Sequence, residues 1–175
     1  MTSTLTLPST ASRSAPALDF EALYRDTRDD IFAYVATMLR DRSSAEDVTA
    51  AAFERAYRRQ RSFDPDRGTG RAWLFGIARH AALDELRRRR RQATLDHDPP
   101  DLATPDHTNT VIDRAVLRAA LGTLTVRDRE VIALRFHAGL DTAEVAGVLG
   151  TTPTNAGTLL HRAMTKLREA MNHDR

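Results

Sequence analysis

Apolar side chains recur at helical spacing along most of the chain. Between Leu18 and Arg40, residues Phe20, Leu23, Tyr24, Ile31, Tyr34, Val35, Met38 and Leu39 are separated by charges in a pattern that predicts a helix. Ser43 with Glu46 three residues on has the form of a capping box, so a second helix is expected from near Ala45 to about Arg61. It would bury Val48, Ala52, Phe53, Ala56 and Tyr57 and show Asp47, Ala50, Ala51, Glu54 and Arg58 on the other side. Residues 62–70, SFDPDRGTG, are dense in turn formers. The following stretch, WLFGIARHAALDELRRRRRQ at 73–92, sets Leu74, Ile77, Ala78, Ala81, Ala82 and Leu86 on one half of a helix, with Phe75 at the edge. Trp73, Gly76, His80, Asp84 and Arg87 form a stripe on the other half. A tryptophan on the wet side suggests a surface made for more than packing.

Residues 93–110 carry three prolines and little periodicity, which predicts a flexible acidic linker. Four further helical patterns follow at about 111–121, 126–138, 142–149 and 153–171. Thr125 suits the N-cap of the second, Asp141 with Glu144 that of the third, and Thr152–Pro153 the start of the fourth. No useful β-alternation interrupts them, so the expected fold is all-α: two small helical domains, 18–92 and 111–172, joined by the linker. Residues 1–17 are rich in Ser, Thr, Pro and Ala and are read as a disordered tail, with no signal peptide and no membrane-inserting run. The absence of cysteine removes disulfides and thiolate metal sites and fits a cytoplasmic setting.

The formal charge of +2 conceals segregation. Residues 18–52 carry 4 basic and 8 acidic groups, whereas residues 53–92 carry 12 basic and 5 acidic. Such a basic segment can hold a polyanion locally. Arg55, Arg58, Arg59, Arg61, Arg67, Arg71, Arg79 and Arg87 to Arg91 surround Tyr57, Phe63 and Trp73. Phosphate neutralisation is thus combined with flat rings able to stack on unpaired bases. A solvated helix end accounts equally for an arginine run alone, and core packing for Tyr57; the tryptophan beside the arginines favours nucleic acid. Residues 141–163, DTAEVAGVLGTTPTNAGTLLHRA, read as a helix-turn-helix with Gly150 at the turn. Ala156, Leu160, Ala163, Met164, Leu167 and Met171 would be buried, leaving Thr154, Thr158, His161, Arg162 and Thr165 outermost.

SSAEDVTAAAFERAYRRQRSFDPDRGTGRAWLFGIARHAALDELRRRRR resembles the amino-terminal domain of extracytoplasmic-function (ECF) sigma factors, and LGTLTVRDREVIALRFHAGLDTAEVAGVLGTTPTNAGTLLHRAMTKLRE resembles their carboxy-terminal domain. The resemblance spans about residues 18–172 in the right order. It implies a subunit of bacterial RNA polymerase that recognises promoters and opens DNA, without catalysis or cofactor of its own. Its partners would be the polymerase core through the β and β′ subunits, promoter DNA and an anti-sigma factor. Core docking maps to Asp47, Ala50, Ala51 and Glu54. The minus-ten element maps to Arg58, Arg61, Phe63, Asp64, Arg67, Trp73, Arg79, His80, Arg87 and Arg88. The minus-thirty-five element maps to Thr142, Thr154, Thr158, His161, Arg162 and Thr165.

Three departures stand out. Ala50 and Ala51 replace the family's usual Gln and acidic residue, His80 replaces an asparagine, and Ala156–Leu159 replace a "VKSR"-like run. Weakened docking and weakened upstream reading are the corresponding expectations. A polymerase-independent helix-turn-helix regulator is the second reading. An enzyme or metal protein is disfavoured, because His97, Asp98, Asp101, Asp106 and His107 lie where no helix or strand orients them.

Overall fold

A computed structural model describes residues 18–96 and 111–173. The predicted tail, most of the predicted linker and its histidine–aspartate group lie outside these residues. Among the described residues the fold is all-α. The helices are α1 (Phe20–Leu39), α2 (Arg42–Arg59), α3 (Gly70–Asp96), α4 (Val111–Thr123), α5 (Val126–Phe136), α6 (Thr142–Leu149) and α7 (Pro153–His173).

Helices α1 to α3 pack mutually, and α4, α5 and α6 pack on α7. The first unit closes around Ile31, Tyr34, Val35 and Met38 of α1 and Leu74, Phe75 and Ala78 of α3, all fully buried. Phe75, expected at the edge of its apolar face, is central. Its ring meets that of Tyr34 edge to face, with centroids 5.5 Å apart. The α2 helix begins earlier than predicted because Asp41, not Ser43, accepts the first-turn amide of Ser44 at 3.0 Å. Glu46 pairs sideways with Arg42 at 3.1 Å instead of completing a box with Ser43. Tyr57, expected inside, is 60 % exposed and meets the edge of Phe20. The predicted cap at Thr125 and the capping box of Asp141 with Glu144 both form.

The two units share one core, with α5 lying on α1 and α6 on α3. The seam between them is unusually polar. Arg71 of α3 pairs with Asp30 and donates to the carbonyls of Ala138 and His137. Arg40 reaches the Gly122 carbonyl at 3.4 Å. Glu130 of α5 is 2 % exposed and receives Arg79 Nε at 2.7 Å and Arg127 Nη1 at 2.8 Å. The sequence DRE at 128–130 looks solvent-facing, yet all three residues are buried. Asp128 is held by Lys166 of α7 at 2.7 Å and by Thr125, and Arg129 donates to the Leu124 carbonyl at 2.6 Å. Desolvation pushes Asp128 upward, but these hydrogen bonds outweigh it and keep its carboxyl below the ordinary range.

Candidate nucleic-acid interface

The turn-rich stretch between α2 and α3 is built from local caps. Ser62 donates to the Arg59 carbonyl at 2.7 Å, and the Asp64 carboxylate accepts the Asp66 amide at 3.0 Å. Gly68 sits at φ 143°, a region that side-chain-bearing residues rarely adopt. Thr69 then caps α3 by accepting the Ala72 amide at 3.1 Å. This path turns Phe63 back onto the first turn of α3, where its ring meets Trp73 with centroids 5.7 Å apart and planes at 61°.

Both rings are half-buried at their inner edges and border a cleft of about 780 Å³. Asp64, Arg67 and His80 also line it, together with Arg59 and Gly76. His80 is exposed and its Nδ1 lies 2.7 Å from the Gly76 carbonyl, which can only accept, so Nε2 is left for a ligand. The absent side chain at Gly76 leaves open space beside the indole. The cleft sets an arginine, a carboxylate and an imidazole beside the two rings, the group types that stack on and hydrogen-bond to a flat heterocycle.

The structure thus brings Phe63, Asp64, Arg67, Trp73 and His80 together. Arg58 and Arg61 are exposed but outside the cleft, and Arg58 pairs with Glu54 at 2.6 Å. Arg87 and Arg88 lie roughly 10 Å further along α3, at 1.5 Å per residue. Arg87 makes an exposed pair with Asp84 at 3.0 Å, and Arg88, itself exposed, reaches the mostly buried Glu85 at 2.7 Å. Arg79 is turned away into the seam. Arg89, within the arginine run, is half-buried: it pairs with Glu85 one turn back on α3 and ties that helix to Asp41 and the Leu39 carbonyl.

In the second unit, Gly150 adopts the left-handed conformation at φ 65° that ends α6, and α7 begins three residues later. Thr142, Thr154, Thr158, His161 and Arg162 are exposed and Thr165 is half-buried. Asn155 is also exposed and was not singled out by the sequence pattern. Its amide donates to Thr151 Oγ1 at 2.6 Å, which orients it in the first turn of α7. On α2, Asp47, Ala50 and Glu54 are exposed and Ala51 is half-buried.

The seam also holds a titratable group. His137 Nε2 lies 3.2 Å from Thr37 Oγ1, whose own proton goes to the Ala33 carbonyl. Burial lowers the His137 pKa, while Asp30 on α1 opposes the shift and Arg71 on α3 holds the neighbouring carbonyl. The joined units therefore bind fewer protons here than separated units, in which the imidazole titrates near 6.5. Contact between the units is expected to weaken as pH falls below about 6.5. Small-angle scattering at pH 7.5 and 5.5 should show expansion that His137→Gln reduces; equal expansion in the variant would exclude this histidine as its source.

The chain matches the family Sigma-70 region 2 over residues 23–92 and Sigma-70, region 4 over residues 114–167. It is 31% identical over 159 residues to the ECF RNA polymerase sigma factor SigL of Mycobacterium tuberculosis (strain ATCC 25618 / H37Rv), covering 89% of this chain and 90% of SigL. It is 30% identical to the ECF RNA polymerase sigma factor SigX of Bacillus subtilis (strain 168), covering 87% and 83%. Among solved structures, the fold resembles the sigma factor RpoE in complex with the anti-sigma factor NepR from Bartonella quintana, with a TM-score of 0.80 and 23% identity over 90% of this chain and 99% of that one. CnrH in complex with the cytosolic domain of CnrY gives 0.67 at 29% identity, covering 89% of each chain.

Proposed function

Because the chain belongs to the ECF RNA polymerase sigma factors, which bind polymerase and direct it to promoters, we propose that the cleft of Phe63 and Trp73 receives a base flipped from the non-template strand of the minus-ten element. The observation that carries this reading is the pair of rings at 5.7 Å, open to the cleft and beside Arg67 and His80. Extruding a base costs a few kcal/mol, and stacking in such a cleft with edge contacts offsets it. Arg58, Arg61, Arg87 and Arg88 flank the cleft and neutralise phosphates. No enzyme chemistry enters: the groups present bind and orient.

Asp47, Ala50, Ala51 and Glu54 form the docking face for the β′ subunit, and the second unit meets the β subunit. Thr142, Thr154, Thr158, His161, Arg162 and Thr165 address the minus-thirty-five element in the major groove. Asn155 joins them as an adenine reader, since an amide offers the paired donor and acceptor that adenine presents there. By analogy with RpoE, which is bound by the anti-sigma factor NepR, an anti-sigma protein holds the chain inactive. No helix among the described residues is long and apolar enough to cross a membrane, and a cytoplasmic location follows from the role. Residues 18–92 and 111–172 serve as the two functional domains. Run-off transcription with core enzyme and genomic DNA tests the reading; failure to initiate at any defined start would reject it, and a chain that binds DNA but never core would favour an independent regulator.

The sparse cationic face of α7 permits a gain of function. A Cβ at Gly157 would have Thr142 Cγ2 at 3.9 Å, an ordinary van der Waals contact, as its nearest neighbour. Gly157→Arg is expected to stabilise the helix by about 1 kcal/mol and raise the melting temperature by about 2–4 °C. It should also tighten holoenzyme binding to duplexes carrying the upstream element. Thermal denaturation and anisotropy titration check both effects; a lower melting temperature would show that the site has no room.

A further inference from the structure

Lys166 is the one lysine among the 26 basic side chains of the sequence. It stands on α7 one turn after Arg162, with half of its side chain in water, and its Nζ meets Asp128 Oδ2 at 2.7 Å. Asp128 belongs to the first turn of α5 and keeps only 10 % of its side chain exposed. Thr125, the N-cap of α5, donates to the same oxygen at 2.8 Å and accepts the Asp128 amide at 3.1 Å. The amine is therefore the outer, reachable end of a network whose inner end is buried.

The network supplies what the apolar packing of α7 lacks. The side chains that this helix buries are Ala156, Ala163 and Leu167, with Leu160, Met164 and Met171 partly covered. Methyl groups and flexible thioethers let a helix slide or turn at small cost, whereas a charge-assisted bond has a set length and direction. The bond from Lys166 to Asp128 thus fixes the rotation and height of α7 against α5. With them it fixes the outward aim of Thr154, Thr158, His161 and Arg162.

We propose that Lys166 is a modification site, acylated on Nζ by an acyl thioester, and that acylation unclamps α7 and weakens its reading of the upstream element. This rests on the assignment of α7 to that element. In the reaction the ammonium first releases a proton to water. The Nζ lone pair attacks the thioester carbonyl, the C–N bond forms, the C–S bond breaks, and the departing thiolate takes the second proton from nitrogen. The product is an uncharged amide, so the pair loses its cation. A guanidinium stays protonated and its lone pairs are delocalised, which confines the reaction to Lys166 among the basic side chains. Asp128 keeps the Thr125 hydroxyl, but burial, which pushes its carboxyl up, is no longer opposed by the lysine.

The test compares the full chain with Nε-acetyllysine in place of Lys166, Lys166→Arg, which keeps a cation, and Asp128→Asn. In holoenzyme the acetylated chain is expected to bind duplexes carrying the upstream element about tenfold more weakly, the low end for loss of a hydrogen bond to a charged group. Lys166→Arg should restore most of that binding. Asp128→Asn should lose a similar amount, and the acetylated chain with Asp128→Asn should lose no more than either alone. The salt dependence should stay as in wild type, since a clamp touches no phosphate. A log–log slope lower by about 0.9, with Asp128→Asn unaffected, would make Lys166 a phosphate contact and overturn the proposal. Wild-type binding by the acetylated chain would overturn it too. The amine is half-exposed, so the acetylated chain carries the test should Asp128→Asn fail to fold.

Amide exchange reads the clamp without DNA: the first turn of α5 and the last turns of α7 should exchange faster in the acetylated chain. Faster exchange there, in a holoenzyme that ignores the upstream element in every form, wild type included, would instead strike the assignment of α7. Incubation of the folded chain with acetyl-coenzyme A, followed by mass spectrometry, tests the chemistry itself. Acetyl on Lys166 is the expected adduct, and modification of the N-terminal amine alone would exclude the site.

Discussion

Trp73→Ala should reduce promoter opening by reconstituted holoenzyme about 5- to 150-fold, the range that corresponds to 1–3 kcal/mol of lost base stacking. Initial duplex association should change little, because it draws on phosphate contacts that the substitution leaves in place. The two steps separate experimentally as permanganate reactivity of the bubble and as filter binding at low temperature. The indole is half-buried, with its ring against Phe63, so its removal also deprives Phe63 of support. Phe63→Ala should therefore act in the same direction, and the double variant should lose less than the product of the two single losses. Equal loss of association and opening in Trp73→Ala would mean that the indole only shapes the domain.

Replacing Arg87, Arg88, Arg90 and Arg91 together with alanine should flatten the salt dependence of holoenzyme binding. Each lost phosphate contact lowers the log–log slope by about 0.9, so four contacts give a change of up to about 3.6. Between 50 and 200 mM salt, wild type would then lose up to about 150-fold more affinity than the variant. Arg89 must be spared, because its contacts with Asp41 and the Leu39 carbonyl hold α3 against the α1–α2 junction. The exposed pair of Arg87 with Asp84 does not argue against DNA contact, since such pairs contribute little and yield to a phosphate, and the Arg88 guanidinium is itself exposed although its partner Glu85 is mostly buried. The strong hydrogen bond from Arg88 lowers the Glu85 pKa, so this pair persists through ordinary pH. An unchanged slope would reduce the arginine run to a solvated helix end.

Helical periodicity was enough to place every helix, because each has an apolar face that must be covered. Boundaries followed where the caps were self-contained, as at Thr125 and Asp141. They slipped at α2, where Asp41 outcompeted Ser43 once Arg40 had taken a left-handed turn at φ 57°. Tyr57 was misplaced because its phase on α2 puts it beside the apolar face without anything beyond Phe20 to cover it. The candidate cleft was legible as a composition, aromatic and basic residues around a tight turn, and Asp64, Arg67, Trp73 and His80 meet there. The seam was not legible. Nothing local marks Glu130 or Arg79 as partners 51 residues apart, and a charged DRE run carries the signature of a solvent face. The run becomes interior because α5 packs against both α7 and α1, with Asp128 meeting Lys166 and Glu130 meeting Arg79 of α3. The departures at Ala50, Ala51 and Gly157 remain readable from sequence alone, since none of the three is part of the buried core.

The role of the cleft turns on where an unpaired base is held in the open complex. Placing 5-iodo-2′-deoxyuridine singly through the minus-ten region of the non-template strand, irradiating the open complex and mapping the adduct by mass spectrometry measures this. Attachment at Trp73 or Phe63 from one position, lost when that position is kept paired, is the predicted result. An open bubble whose bases crosslink only to other parts of the chain, or to polymerase alone, would contradict it.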